Sequence, residues 1–153
     1  MKSKLRGAAA VVGIGETPYY KRGTSPDSEN KLAVRAIVAA CEDAGISPSD
    51  VDGFCSYGSE RNDGQRLIRA LGSKQLNFDA LMWTHGGGIP GSLGLAAMAI
   101  ATGQAEGVAV YRSMAERSNT RLGVAVAQND NIGVRVTGIP AWQYLWVRVK
   151  FRL

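Results

Sequence analysis

The chain has 153 residues, 45% of them hydrophobic, with a formal net charge of +5, two cysteines and one histidine. That length suits one domain with a real core, and a lone histidine without a Cys-x-x-Cys pair argues against a structural zinc site, so no metal is expected. No apolar run reaches the ~20 residues of a membrane span, and the basic start at Lys2, Lys4 and Arg6 leads into Gly13, Gly15 and Glu16 rather than into a leader's long apolar region. A cytoplasmic, reducing setting is expected, with Cys41 and Cys55 as core thiols on apolar faces.

In chain order, Ala8–Ile14 is a β-branched and small apolar run that reads as a buried strand. Glu16–Ser28 is a Pro-, Gly-, Ser- and Thr-rich loop, and Ser25-Pro26 or Asp27 opens the next helix. Leu32, Ala33, Ala36, Ile37, Ala40, Cys41 and Ala44 recur at three- and four-residue steps and mark one helix face. Gly45 and Pro48 end it. Val51–Tyr57 reads as a short strand. Asp63 caps a shorter helix carrying Leu67, Ile68 and Leu71, closed by Gly72. Leu76–Trp83 is a third strand and Gly107–Tyr111 a fourth.

Between these last two stands the stretch that organises the rest, Trp83–Gly103. His85-Gly86-Gly87-Gly88-Ile89-Pro90-Gly91-Ser92 feeds an apolar run from Leu93 to Ala101 with no polar face. Such a helix is expected to be buried on every side. Its N-terminus emerges from consecutive glycines, where free N–H groups and the positive end of the helix dipole suit an anion or a developing oxyanion. The same glycines equally serve a tight turn onto a buried helix. Gly86–Gly91 also satisfies G-x-G-x-x-G, but it follows the third strand rather than the first. The acidic residue expected at the end of the next strand is missing, since Glu106 precedes that strand and Arg112 follows it. A dinucleotide site is therefore set aside.

The order β-α-β-α-β-α-β predicts an α/β fold with a mostly parallel sheet and helices on both faces. Ligands in such sheets collect at the carboxyl ends of the strands. Gly13–Tyr19, Ser56–Arg61, Thr84–Gly88 and Arg112–Met114 fall near that rim, where Tyr57 and Ser113 are lesser candidates. After residue 123 the pattern breaks. Val124–Ala127 and Ile132–Val136, around a turn at Gln128–Asn131, form an expected hairpin. Val147, Val149, Phe151 and Leu153 alternate with Arg148, Lys150 and Arg152 as a strand with one apolar and one basic face. No acidic residue follows Asp130, so this tail holds most of the charge excess. Coenzyme phosphates, lipid headgroups or, more remotely, nucleic acid are the acidic partners such a patch suits, and a solvated strand face is the commoner use of it.

Several stretches resemble the N-terminal half of the thiolase superfamily, in its lipid-transfer (sterol-carrier-type) and aldolase branch. They are Val12-Gly13-Ile14-Gly15-Glu16-Thr17-Pro18, Ala33–Gly45 with Ile46-Ser47-Pro48-Ser49-Asp50-Val51-Asp52-Gly53, and Gly86–Gly103 with Gln104-Ala105-Glu106-Gly107-Val108-Ala109-Val110, continuing to Ser113-Met114. The likeness spans residues 7–123 in order and spacing. It divides the chain into a thiolase-like half-domain at 1–123 and an atypical tail at 124–153. It implies one half of a layered sandwich, a homodimer or hetero-oligomer, and a coenzyme A thioester as substrate with no cofactor bound covalently.

The family's nucleophilic cysteine opens the central helix. Counting back from Ala96-Ala97-Met98-Ala99-Ile100, that position falls on Gly86, and Cys41 and Cys55 lie on other elements. A glycine carries no acyl group. What the resemblance leaves is an oxyanion cradle at Gly86, Gly87 and Gly88, and acyl transfer or retro-aldol cleavage in the intact protein. His85 beside the cradle suits proton transfer, or equally caps or fills the turn. The family's second half is not in this sequence, so a fragment, a frame-disrupted product or a subunit of a split enzyme is expected, inactive alone. The alternative is a non-catalytic interaction subunit that pairs through Leu76–Trp83 or through the aromatic tail.

Overall fold

The computed structural model describes residues 5–21, 24–57, 62–82 and 88–114, together with the backbone of two short strands, Arg135–Val136 and Ile139–Pro140. Helix α1 spans Glu29–Ala44 and a 3-10 turn follows at Pro48–Asp50. Strand β1 is Gly53–Tyr57, helix α2 Gly64–Leu71, strand β2 Phe78–Met82, helix α3 Gly88–Ala101 and strand β3 Val108–Val110.

The helix ends are set by local chemistry. The Ser28 hydroxyl accepts the Lys31 N–H at 3.3 Å, so α1 is capped three residues after Ser25 and starts at Glu29, while Pro26 still lies in the loop. Gly45 takes φ 68° and lets the Ile46 N–H close onto the Cys41 carbonyl at 3.0 Å, a left-handed cap that favours glycine. Asp63 accepts the Arg66 N–H at 2.8 Å to start α2, and Gly72 at φ 73° ends it.

β1 lies between β2 and β3, and both pairings are parallel, with Gly53 opposite Phe78 on one side and Val108 on the other. As the central strand it is the most buried: Phe54, Cys55 and Ser56 are wholly inaccessible. Alternation sends Phe54 to one face. There it joins Ala33 and Ile37 of α1, Leu67 and Leu71 of α2, and Tyr111 in a single core. α3 packs on the opposite face against all three strands. The expected α/β architecture, a parallel sheet with helices on both faces, is therefore what the described residues form.

At the foot of the sheet one carboxylate joins the strands. Asp52 accepts the backbone N–H groups of Gly107 at 2.9 Å and Glu106 at 3.1 Å, and the Asn77 side-chain amide at 2.7 Å. Burial pushes this carboxyl up, but the donors at Gly107, Asn77 and Glu106 outweigh it and hold it below the ordinary aspartate range.

Two expectations need correction. Ala8–Ile14 forms no strand and pairs with no described strand, and Val11, Val12 and Ile14 are 72%, 68% and 78% exposed. Glycine governs its placement: a side chain on Gly13 would meet Ala44 and the Ala40 carbonyl, and one on Gly15 the Ala36 carbonyl. The segment thus lies directly on the α1 backbone, away from β3. Nor is α3 buried on every side. Gly88, Ser92, Ala96 and Ala99 face the sheet, while Leu93 and Met98 are 48% and 43% exposed. One sheet covers only one face of a helix, so an all-apolar helix keeps a bare side until something else packs on it.

In the tail, Arg135–Val136 pairs antiparallel with Ile139–Pro140. This pairing runs forward from Val136. The expected hairpin partner, Val124–Ala127, the turn at 128–131 and the basic strand 147–153 lie outside the described residues. No described helix is long and apolar enough to cross a membrane.

Candidate functional site

The three parallel strands all end at the same rim, where α3 begins. β1 delivers Tyr57 there, β2 delivers Met82, and the chain leaving β3 delivers Tyr111, Arg112 and Ser113. Alternation along β1 turns Tyr57 and Cys55 toward α3.

Two glycines let α3 approach these strand ends closely. A Cβ on Gly88 would lie inside the Tyr57 ring, and one on Gly91 would strike the Met82 sulfur. Both residues therefore serve packing, and they pin the first turn of α3 between β1 and β2. Below this turn Ser92 is wholly buried. Its hydroxyl lies 2.9 Å from the Ser56 carbonyl and 2.9 Å from the Gly88 carbonyl, and donates to this pair. On the other side of β1, Ser56 donates its hydroxyl to the Tyr111 carbonyl at 2.5 Å. Neighbouring strands and helix are thus joined by side-chain hydroxyls immediately beneath the rim.

The rim carries a fixed cation. The Arg112 guanidinium carbon sits 4.7 Å from the centroid of the Tyr57 ring. Stacking on an aromatic face holds an arginine without using its N–H donors, which stay available to an anion. Sequence reading placed Arg112 near the rim but gave it no role. The signal was the position of Tyr111-Arg112 at the end of a strand, and the stacking on a residue 55 positions earlier was not visible there. Tyr111 itself turns inward, edge-on to Phe54 at 6.4 Å between ring centroids. Ser113 donates to the Glu29 carbonyl and ties the rim to the start of α1, so its hydroxyl has a structural task.

Of the expected cradle, Gly88 is described and buried as the first residue of α3. His85, Gly86 and Gly87, with Trp83 and Thr84, lie outside the described residues. The two thiols behave as core groups. Cys55 is wholly inaccessible and faces Ser92, and burial pushes its thiol up; Cys41, 3% exposed within α1, is pushed up by burial and by the Asp50 charge. Neither has thiolate character to offer as a nucleophile. Among the described residues no cluster of His, Cys, Asp and Glu is placed to hold a metal.

No protein-family model matches the chain. It is 42% identical over 125 residues to the steroid side-chain-cleaving aldolase of Thermomonospora curvata, covering 82% of this chain and 32% of that protein. It is 42% identical over 119 residues to the 17-hydroxy-3-oxo-4-pregnene-20-carboxyl-CoA lyase of Mycobacterium tuberculosis, covering 78% and 30%. Among solved structures the Ltp2-ChsH2(DUF35) aldolase superposes with a TM-score of 0.68 at 41% identity, covering 78% of this chain and 31% of that one. The chain thus spans about a third of the length of the relatives it matches.

Proposed function

We propose that this chain supplies the thiolase-like half-site of a retro-aldolase that cleaves a carbon–carbon bond in a CoA-linked lipid of steroid type. The 42% identity to a side-chain-cleaving aldolase and to a CoA-thioester lyase carries this reading. The α3 N-terminus at the strand rim supports it.

The reaction needs no covalent enzyme intermediate, which suits Gly86 at the position of the family's nucleophile. A base removes the proton from a hydroxyl on the carbon β to the thioester carbonyl. The bond between the α and β carbons breaks, and its electron pair enters the thioester as an enolate. The hydroxyl carbon becomes a ketone, and a proton returned to the α carbon completes a shorter acyl-CoA. Amides at Gly86, Gly87 and Gly88 are assigned to the enolate oxygen, because charge develops there in the transition state. His85 holds or returns a proton. Arg112, and Arg148, Lys150 and Arg152 of the tail, are assigned to the phosphates of coenzyme A.

The test is calorimetric titration with a β-hydroxyacyl-CoA thioester, followed by assay of ketone release. Binding is expected for the chain, with turnover only when the remaining two-thirds of a related aldolase is added. Absence of binding at millimolar thioester in both settings overturns the proposal.

A second reading, an interaction subunit, is favoured by the open flank of the sheet. Among the described residues β2 is an edge strand, and Leu81 on it is 43% exposed. Pairing through β2 gives a homodimer or hetero-oligomer, and light scattering on the eluted protein tests it. A strictly monomeric folded chain, alone and with an aldolase partner, contradicts it.

A further inference from the structure

Helix α3 holds one polar side chain. Its residues Gly88–Ala101 are Gly, Ile, Pro, Leu, Ala and Met apart from Ser92, and Ser92 is wholly buried. An alanine there would suit the helix better and would bury no polar group, so the hydroxyl needs a reason. It carries one proton and meets two carbonyls at 2.9 Å each: that of Gly88, one turn back in its own helix, and that of Ser56 on the central strand. A bond to the carbonyl four residues back is common for a helical serine. The bond to the sheet is not local, since it joins residues 36 positions apart.

The surface that α3 turns to the sheet is otherwise smooth. The other buried residues of the helix are Gly88, Ala96 and Ala99, and none projects a knob that would fix its height along β1. Contact of Gly88 with the Tyr57 ring, and of Gly91 with Met82, sets how near the helix comes. Such contact is only weakly directional, whereas a hydrogen bond is directional and short-ranged. Its anchor is fixed as well. Ser56 is wholly buried, and its own hydroxyl donates to the Tyr111 carbonyl at 2.5 Å, just before Arg112. The contact from Ser92 to Ser56 thus ties the first turn of α3 to the strand that carries Tyr57 and, through Tyr111, to the segment that carries Arg112.

We infer that Ser92 is a positioning residue for the reaction: its hydroxyl sets the height of Gly88, and with it the mouth of α3, against the end of β1. The inference rests on the retro-aldol reading above, in which the Gly88 amide serves the enolate oxygen. Wholly buried, Ser92 acts on a substrate only through Gly88. Donors to a developing oxyanion must stand about 2.7–3.1 Å from it, and a misplacement of about 1 Å costs on the order of a hundredfold in rate. Without the hydroxyl the bond that fixes this height is gone, and the cradle is left present but loose.

Ketone release from a β-hydroxyacyl-CoA thioester, by the 153-residue chain combined with the remaining two-thirds of a related aldolase, tests this. Ser92→Ala is expected to lower kcat per folded molecule by at least about tenfold while KM stays within about twofold. Ser92→Thr, which restores a hydroxyl, should recover most of that loss. Ile37→Val, a core change on the α1 side of the sheet, should lower stability and leave kcat unchanged within about twofold. A Ser92→Ala protein that keeps its kcat, or loses activity only in proportion to its unfolded fraction, overturns the inference and leaves the proposed function standing. So does a loss that Ser92→Thr does not relieve, or one that Ile37→Val matches. Absence of ketone release from the unchanged assembly overturns the proposed function and this inference with it. Should Ser92→Ala fail to fold, Ser92→Cys, of nearly the same size and a weaker donor, is held to a kcat loss of at least about threefold.

Discussion

The Tyr57 ring occupies the space that a side chain on Gly88 would need. The Arg112 guanidinium stacks on the same ring, 4.7 Å from its centroid, and restrains it. Gly88→Ala is expected to destabilise the chain by about 1–3 kcal/mol, the usual cost of overpacking. Combining it with Tyr57→Ala should recover part of that loss, because the two changes share one volume. Urea unfolding of the four proteins checks this, and strict additivity would show that the contact does not limit the packing.

Ser92→Ala removes a buried donor from between two carbonyls, those of Ser56 and Gly88. A loss of about 1–3 kcal/mol is expected, because both acceptors stay buried. The first turn of α3 should also exchange its amides faster, and hydrogen exchange reads that separately from global stability.

The Asp52 carboxylate gains stability from folding because its donors depress its pKa. The sign follows directly: this contribution is complete above the unfolded value, about 3.9, and is lost as pH falls through the lower folded value. Asp52→Ala should therefore cost about 1–3 kcal/mol at neutral pH, and less as pH drops below about 4. Unfolding curves at pH 7 and in steps below pH 4 check it. A loss that stays constant across this range would rule out the carboxylate as its source.

Cys41 and Cys55 should resist alkylation in the folded chain, because both are buried and their thiols are pushed up. Iodoacetamide at pH 8 is expected to label them at least about a hundredfold more slowly than in denaturant. Rapid labelling of Cys55 in the folded protein would reveal an opening between β1 and α3.

The two faces of α3 should answer differently to charge. Ala96→Glu, against the sheet, is expected to cost about 3 kcal/mol or more. Met98→Glu, on the bare side, should change stability by no more than about 0.5 kcal/mol. Equal, severe losses at both positions would mean that something already covers Met98.

Much of the fold was legible because local chemistry decides it. The spacing of Leu32, Ala33, Ile37 and Cys41 sets the buried face of α1, and Gly45 and Gly72 stop their helices as left-handed caps. The strands β1, β2 and β3 fall within the apolar stretches that announce them. Ala8–Ile14 misled because hydrophobicity reports a wish for burial, whereas a strand also needs a neighbour at hydrogen-bonding distance. The uniform apolarity of α3 misled for a related reason: composition describes every surface the helix will ever cover, not those one sheet can supply. At the rim, the strand ends were foreseeable from the alternating pattern. The stacking of Arg112 on Tyr57 was not, since it joins residues 55 positions apart that only the closed sheet brings together.

Asp52 has a consequence for how the chain is made. Its three partners lie 25, 54 and 55 residues further on, at Asn77, Glu106 and Gly107. During synthesis the carboxylate emerges long before the amides that will hold it. Until Gly107 has cleared the ribosome the central strand lacks one flank and its clasp. The first hundred residues therefore leave the tunnel as an unlatched sheet, exposed to chaperones and to neighbouring nascent chains, and the last turn of translation through β3 is what locks it.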